Sequence, residues 1–443
     1  MSEFELAVSR TGEVDDAATP RLIERVARKL VLRRLANLHT GQLTLRDLHG
    51  KYVLGKTASG TDLKAGIDVI DQRFYSEVAL GGAVGAAEAY MQGFWTCDDL
   101  TALVRLLVRN RNVLDSMESG IARLVAPLRR IMHRINRNTR AGSRRNISAH
   151  YDLGNDFFRL WLDETMMYSA AIFERPDMTL HQASVAKLER ICRKLQLSPQ
   201  DHVLEIGTGW GGFALHAASR YGCRVTTTTI SREQYEYARQ RIEAAGLADR
   251  VTLLLKDYRD LEGQYDKLVS IEMIEAVGHE YLDTYFAKCA GLLKPEGMML
   301  LQAITVADQR YRAALKSVDF IQRYIFPGGF LPSVTSMLHA ATKSSDMRLF
   351  HLEDIGAHYA RTLECWRDRF TRQIRRIRAM GYSDSFLRMW NYYYCYCEGA
   401  FLERAIGNVQ MLLVRPDCRR DPVVPSLAGK LVPRELPALP SGT

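Results

Sequence analysis

No stretch of the 443-residue chain approaches the roughly 18–20 consecutive apolar residues that a membrane-spanning helix requires. The longest apolar runs, near Val78–Ala87 and Gly297–Ala307, reach about half that length and read as buried elements. Cysteine is sparse and unpatterned: the eight residues show no framework spacing, which excludes a small disulfide-stapled fold and fits reduced thiols. Cys395 and Cys397 have no partner pair or histidine cluster nearby, so they read as core thiols and no metal site is expected. The opening MSEFELAVSRTGEVDD is acidic and lacks the apolar centre of a secretory leader, which leads to the expectation of a cytoplasmic protein. Internal repeats and low-complexity tracts are also missing, and with them the solenoid and disordered classes.

What is present is ordinary globular composition, 47% hydrophobic and 25% charged, in a chain long enough for two or three domains. Lysine and arginine number 60 against 51 acidic residues, a net charge of +9 that implies an anionic partner such as an acidic membrane. The excess is local. One arginine cluster runs from Arg129 to Arg145, and a second, Arg367 to Arg378, is interleaved with Trp366, Phe370, Ile374 and Ile377 as on an amphipathic helix. A basic helix at 20–37, short alternating runs (GQLTLRDLHG, KYVLGKTASG, LKAGIDVID), a small-residue run and the helix DDLTALVRLLVRN make a mixed α/β unit. This predicts an N-terminal membrane-associated domain at 1–128, an Arg-rich linker at 129–146, a catalytic domain at 147–414 and a Pro-rich tail at 415–443.

In the catalytic region strands alternate with helices: HVLEIG, CRVTTTT, RVTLLL, YDKLVSI and MMLLQAIT are the expected strands. That alternation means an α/β fold with a doubly wound, Rossmann-like parallel sheet. Gly207, Gly209 and Gly212 fit G-x-G-x-x-G between a strand and a helix, a pattern shared by NAD and S-adenosylmethionine sites. Four features favour S-adenosylmethionine. Glu205 sits at the strand end where a carboxylate can meet an amino-acid ammonium, and the second strand ends in Thr228-Thr229-Ile230-Ser231 without a ribose-gripping carboxylate. Asp257 ends the next strand, placed to accept from an adenine amine with Tyr258 beside it for stacking, and KPEG precedes the fifth strand as in methyltransferases of this topology.

Eight segments then carry a resemblance: HYDLGNDFF (150–158), MMYSAAIF (166–173), VLEIGTGWGGF (203–213), TISREQ (229–234), SIEMIEAVG (270–278), RYIFPGGFLPS (323–333), GAHYARTLECWRDRF (356–370) and NYYYCYCEGAF (391–401). From His150 to about Val414 the chain resembles the cyclopropane-fatty-acyl-phospholipid synthases and the mycolic-acid cyclopropane synthases and methyltransferases. The N-terminal region resembles the extra domain of the phospholipid-acting members, which are typically dimers. The resemblance implies transfer of a methylene carbon from S-adenosylmethionine to the cis double bond of membrane phospholipid acyl chains, by a protein held at the inner membrane face. It implies that Tyr168, Ser169, Gly207, Gly209, Thr229, Gln234, Asp257 and Tyr258 line the cofactor. It also implies a bound bicarbonate as proton acceptor, with Glu275 matching its carboxylate ligand and Tyr359 its tyrosine. Tyr168, Phe173, Tyr324, Phe326, Phe330 and Tyr392–Tyr394 are candidates for stabilising a carbocation through their ring faces.

Two departures bear on the product. Ala170 stands where the family usually has a cysteine, and Gln302 where it has a histidine, so the anion site is expected to be weakened. Glutamine can donate to an anion but cannot carry charge or relay a proton. The leading expectation is a cyclopropane product, and the alternative is a methyl-branched or methylene-bearing chain formed when a proton leaves elsewhere. A non-catalytic lipid-binding relative is a further alternative, opposed by the intact glycine loop. A nucleic-acid methyltransferase lacks its Asn/Asp-Pro-Pro-Tyr or Pro-Cys signature here, so no nucleic-acid partner is expected.

Overall fold

The computed structural model describes Phe4 and residues 22–56, 63–113 and 153–423. The Arg-rich 129–146 segment, the boundary expected near 147 and the tail beyond 423 lie outside the described residues.

The N-terminal unit begins with helix α1 (Leu22–Leu35), followed by β1 (Gly41–Asp47), β2 (Gly50–Lys56) and β3 (Lys64–Val69). Helix α2 (Arg73–Met91), β4 (Trp95–Cys97) and α3 (Leu100–Arg109) complete it. Its sheet has the order β2-β1-β3-β4, and β1 buries Leu43 and Leu45 on one face, as the alternation of its sequence requires. The small-residue run is α2, broken at Gly82, whose φ of 59° only glycine adopts without strain inside a helix.

The larger unit runs α4 (Leu180–Leu195), β5 (His202–Ile206), α5 (Gly212–Tyr221), β6 (Arg224–Thr229), α6 (Arg232–Ala244), β7 (Val251–Leu255) and β8 (Tyr265–Ile271). Then come α7 (Leu282–Leu292), β9 (Leu293–Val306), α8 (Val334–Ser344), β10 (Arg348–Asp354), α9 (Gly356–Arg372), α10 (Asp384–Leu402) and β11 (Ile406–Val414). Several helices start on explicit caps. Thr179 and Gln182 form a capping box on α4, and Ser231 accepts from the Gln234 amide on α6. The seven-stranded sheet has the order β10-β11-β9-β8-β5-β6-β7; β5 to β9 pair in parallel and β10 and β11 add antiparallel at one edge. Fold and alternation are as the sequence implies, with one difference. KPEG does not precede the fifth strand but is looped out of β9, since Tyr265 pairs with Leu293 and Lys267 already with Met298.

The chain passes from β5 outward to β7 and returns to the other side of β5 with β8. That reversal is a topological switch point, and ligands of such sheets bind at the carboxyl ends of the strands flanking it. The residues just past β5 and β8 are therefore the ones to inspect. Beside this crevice α10 joins the two units. A Cβ on Gly399 would meet Val104 at 2.7 Å, so only glycine lets α3 approach α10 this closely. Arg105 and Arg109 both donate to Glu403, at 2.8 and 2.7 Å, and Asn391 Nδ2 donates to the Tyr90 hydroxyl at 2.9 Å.

Candidate active site

The turn after β5 is shaped by backbone that side chains resist. Gly207 has φ 102° and Gly209 φ 52°, and a Cβ built on Gly209 meets nothing within 4 Å. The loop thus borders open space at the switch point. Around it, Glu205 is buried and accepts from Thr227 Oγ1 on the neighbouring strand at 2.6 Å. Burial pushes the Glu205 carboxyl up to about 8, so it holds its proton until an arriving ammonium favours the charged form. Thr229 Oγ1 donates to Gln234 Oε1 at 2.9 Å, which leaves the amide nitrogen of Gln234 to serve a ligand. The cradle and this donor set fit S-adenosylmethionine, which would be held by Gly207, Gly209, Glu205, Gln234 and Ser169.

Asp257 and Tyr258 also have partners within the chain. Both Asp257 oxygens are bound to Arg259, Oδ1 accepting from N and Nε at 3.0 and 2.8 Å and Oδ2 from Nη2 at 2.7 Å. The Tyr258 ring packs into the core, edge-to-face with Tyr285 at 5.5 Å, so it is not a free stacking surface.

Past β8 the structure reveals a residue that the sequence reading missed. Glu272 has φ 51°, a left-handed conformation unusual for a glutamate. That turn brings its carboxylate back over the sheet, where four donors meet it. Oε1 accepts from the Ala170 amide at 3.0 Å, Gln302 Nε2 at 2.8 Å and Asn408 Nδ2 at 2.6 Å. Oε2 accepts from the Tyr359 hydroxyl at 2.9 Å. Gln302 is fixed in turn by Gln410 Nε2, which donates to its Oε1 at 3.0 Å. With three donors on Oε1 and one on Oε2, the oxygen with lone-pair capacity to spare is Oε2.

Ala170, Gln302 and Tyr359 are therefore brought together as expected of one site, but around Glu272 and not around Glu275. Glu275 lies one short turn further on; its Oε1 accepts from the Ile304 amide at 2.5 Å and its buried Oε2 has no described partner. Burial first, and the neighbouring Glu272 charge second, push its carboxyl up to about 8. This has a measurable consequence. A buried acid whose folded pKa lies above its unfolded value keeps a proton that the unfolded chain has lost, so stability falls as pH rises from about 4.5 to about 8. Glu275→Gln removes that liability. The variant should gain on the parent by on the order of 2 kcal/mol between pH 5.5 and 8.5 in urea unfolding. Parallel pH profiles for the two proteins would contradict the assignment.

The aromatic candidates also separate. Tyr168, Phe326 and Tyr393 come together: the Tyr168 hydroxyl donates to Tyr393 Oη at 3.0 Å, and the Tyr168 and Phe326 centroids are 6.0 Å apart. Tyr324 instead reaches Glu88 of α2 at 2.6 Å, Phe173 lies against Arg361, Phe330 packs beside His279, and Tyr392 and Tyr394 are core. Asn408, on β11, was not anticipated; a polar residue fully buried in a strand is the signal that points to it.

Comparison with known proteins shows the family. The family model described as mycolic acid cyclopropane synthetase matches residues 138–411. The tuberculostearic acid methyltransferase UfaA1 of Mycobacterium tuberculosis (strain ATCC 25618 / H37Rv) is 38% identical, covering 75% of this chain and 79% of its own. The cyclopropane-fatty-acyl-phospholipid synthase of Escherichia coli (strain K12) is 39% identical, covering 79% of this chain and 88% of its own. Among solved structures, mycolic acid cyclopropane synthase CmaA1 complexed with SAH and CTAB superposes with a TM-score of 0.57 at 32% identity, over 61% of this chain and 98% of that one.

Proposed function

This chain belongs to the cyclopropane-fatty-acyl-phospholipid synthase and mycolic acid cyclopropane synthase family of S-adenosylmethionine-dependent methyltransferases, and from that premise we propose that it methylates the cis double bond of phospholipid acyl chains without closing a ring. The observation that carries this reading is Glu272. Three of the four positions that the resemblance assigns to a bicarbonate, Ala170, Gln302 and Tyr359, donate to a carboxylate built into the chain, while the fourth, Glu275, lies apart. On this reading the built-in carboxylate takes the place of the bicarbonate.

Bound S-adenosylmethionine supplies an electrophilic methyl carbon. The alkene π electrons form the new carbon–carbon bond as the carbon–sulfur bond breaks, and the positive charge passes to the other alkene carbon. The rings of Tyr168, Phe326 and Tyr393, which lie together, would stabilise such charge away from water. Glu272 Oε2 then takes a proton, and the C–H electron pair forms a new double bond. Being tethered, this oxygen removes a hydrogen from the chain carbon it faces, or from the methyl once a hydride has shifted. The product is a methylated alkene or a methylene-bearing chain. The tuberculostearic acid methyltransferase among the relatives supports the open-chain outcome.

The acyl chain is proposed to come from an anionic bilayer. Among the described residues no helix is long and apolar enough to cross a membrane. Arg372, Arg375 and Arg376 are exposed beside a 41% exposed Met380, a combination suited to acidic headgroups. Purified protein, S-adenosylmethionine and vesicles of a cis-monounsaturated phospholipid provide the test. Vinyl or branched-methyl proton signals in the extracted acyl chains are expected by NMR. High-field cyclopropane protons would overturn the open-chain product, and no product at all would overturn the activity.

A further inference from the structure

Lys187, on α4, is among the largest fully buried side chains of the molecule and has no part in the chemistry above. Its Nζ donates to Ser169 Oγ at 2.8 Å, and no other described group accepts from it. Three carboxylates act on it through space, Glu272, Asp163 and Glu205, but none receives its hydrogens. Asp163 is already occupied by the Thr165 amide and hydroxyl, Ser184 Oγ and His181 Nδ1. Glu272 is held by its four donors, and Glu205 by Thr227. An ammonium has three hydrogens to place, and a buried one left without acceptors is costly. Two of them lack a described acceptor at a point one hydrogen bond from Ser169. Ser169, for its part, accepts from Lys187 and retains its own hydroxyl hydrogen to donate.

We propose that Lys187, together with the Ser169 hydroxyl, binds the α-carboxylate of the S-adenosylmethionine amino-acid moiety, while Glu205 faces its ammonium. A zwitterion needs an acceptor for its ammonium and a donor for its carboxylate, and Glu205 in β5 and Lys187 on α4 supply them. Lys187 thereby decides that the ligand must carry an intact amino acid and not merely an adenosyl thioether. This rests on the proposed function above.

The test compares binding of S-adenosylhomocysteine with 5′-methylthioadenosine, which lacks the amino acid, by calorimetry on the full chain and on Lys187→Met. Methionine matches the length of the lysine stem, and replacing a buried charge by an apolar group of similar size is tolerated by folds. The variant should lose about 10- to 100-fold in affinity for S-adenosylhomocysteine and stay within about threefold for 5′-methylthioadenosine. Equal losses for both ligands, or none for the first, would overturn the assignment while leaving the methyltransferase reading intact. An unmutated protein that binds neither ligand would overturn both. Should Lys187→Met not fold, decarboxylated S-adenosylmethionine on the unmutated protein decides the matter. Binding at least about tenfold weaker than S-adenosylmethionine is expected, and equal affinity overturns the proposal.

Discussion

Glu272→Gln should lower turnover about 10²- to 10⁴-fold while S-adenosylhomocysteine affinity stays within about threefold. The substitution keeps the size of the side chain and its reach toward Ala170, Gln302, Asn408 and Tyr359. It removes the ability to end the reaction holding a proton. An amide also puts hydrogens against donors, since all four groups that face this carboxylate donate to it. The loss should therefore fall on the chemical step. A second variant makes the argument sharper. Glu272→Ala leaves the same four donors converging on a space from which an anion has been deleted, and a small carboxylate can enter it. Formate or bicarbonate should then restore part of the activity of Glu272→Ala in a saturable manner and do nothing for the parent. Full activity of Glu272→Gln, or no response of Glu272→Ala to either anion, would exclude this residue as the proton acceptor.

Why that residue escaped the sequence is instructive. SIEMIEAVG holds two carboxylates three residues apart, and the resemblance selects Glu275. Which of them reaches the donors depends on the backbone just after β8, where Glu272 takes a positive φ and Glu275 enters a short 3₁₀ turn. Neither conformation is encoded by local composition. The available signal is positional: Glu272 is the first residue past a buried parallel strand at the switch point, where ligands of doubly wound sheets lie. Asn408 was hidden for another reason. It sits on β11, whose pairing with β9 spans about a hundred residues of sequence, so its neighbours Gln302 and Glu272 cannot be inferred from spacing. The strands β5 to β9 were legible because each is a short apolar run between helical periods. The glycine loop was legible because its function demands glycine. Asp257, by contrast, stands at the expected strand end yet is claimed by Arg259 two residues on, a contact that a pattern of strand ends does not contain.

The glycine loop allows a second large effect to be separated from folding. Gly209→Asp should weaken S-adenosylhomocysteine binding at least about 100-fold, with an unliganded melting temperature only a few degrees below the parent. Gly209 has φ 52°, a positive value that Asp and Asn tolerate better than other side chains. An added Cβ there meets no atom within 4 Å, so the cost of the change is confined to the positive-φ backbone of residue 209 itself. The new carboxylate instead projects into the space the loop leaves for its ligand, where it takes up volume and opposes the ligand's own carboxylate. Gly209→Asn divides the two contributions, for it brings nearly the same bulk without the charge and should bind more tightly than Gly209→Asp. Other glycines of the turn are poor substitutes for this experiment. At Gly207 a Cβ would press on Met273 at 3.3 Å with φ 102°, and at Gly212 it would strike Met167 Sδ at 2.5 Å and the Thr165 carbonyl at 2.8 Å. Substitutions at those two positions mix loss of ligand with displacement of neighbouring chain. Unchanged affinity in a folded Gly209→Asp would mean that the ligand does not lie over this loop.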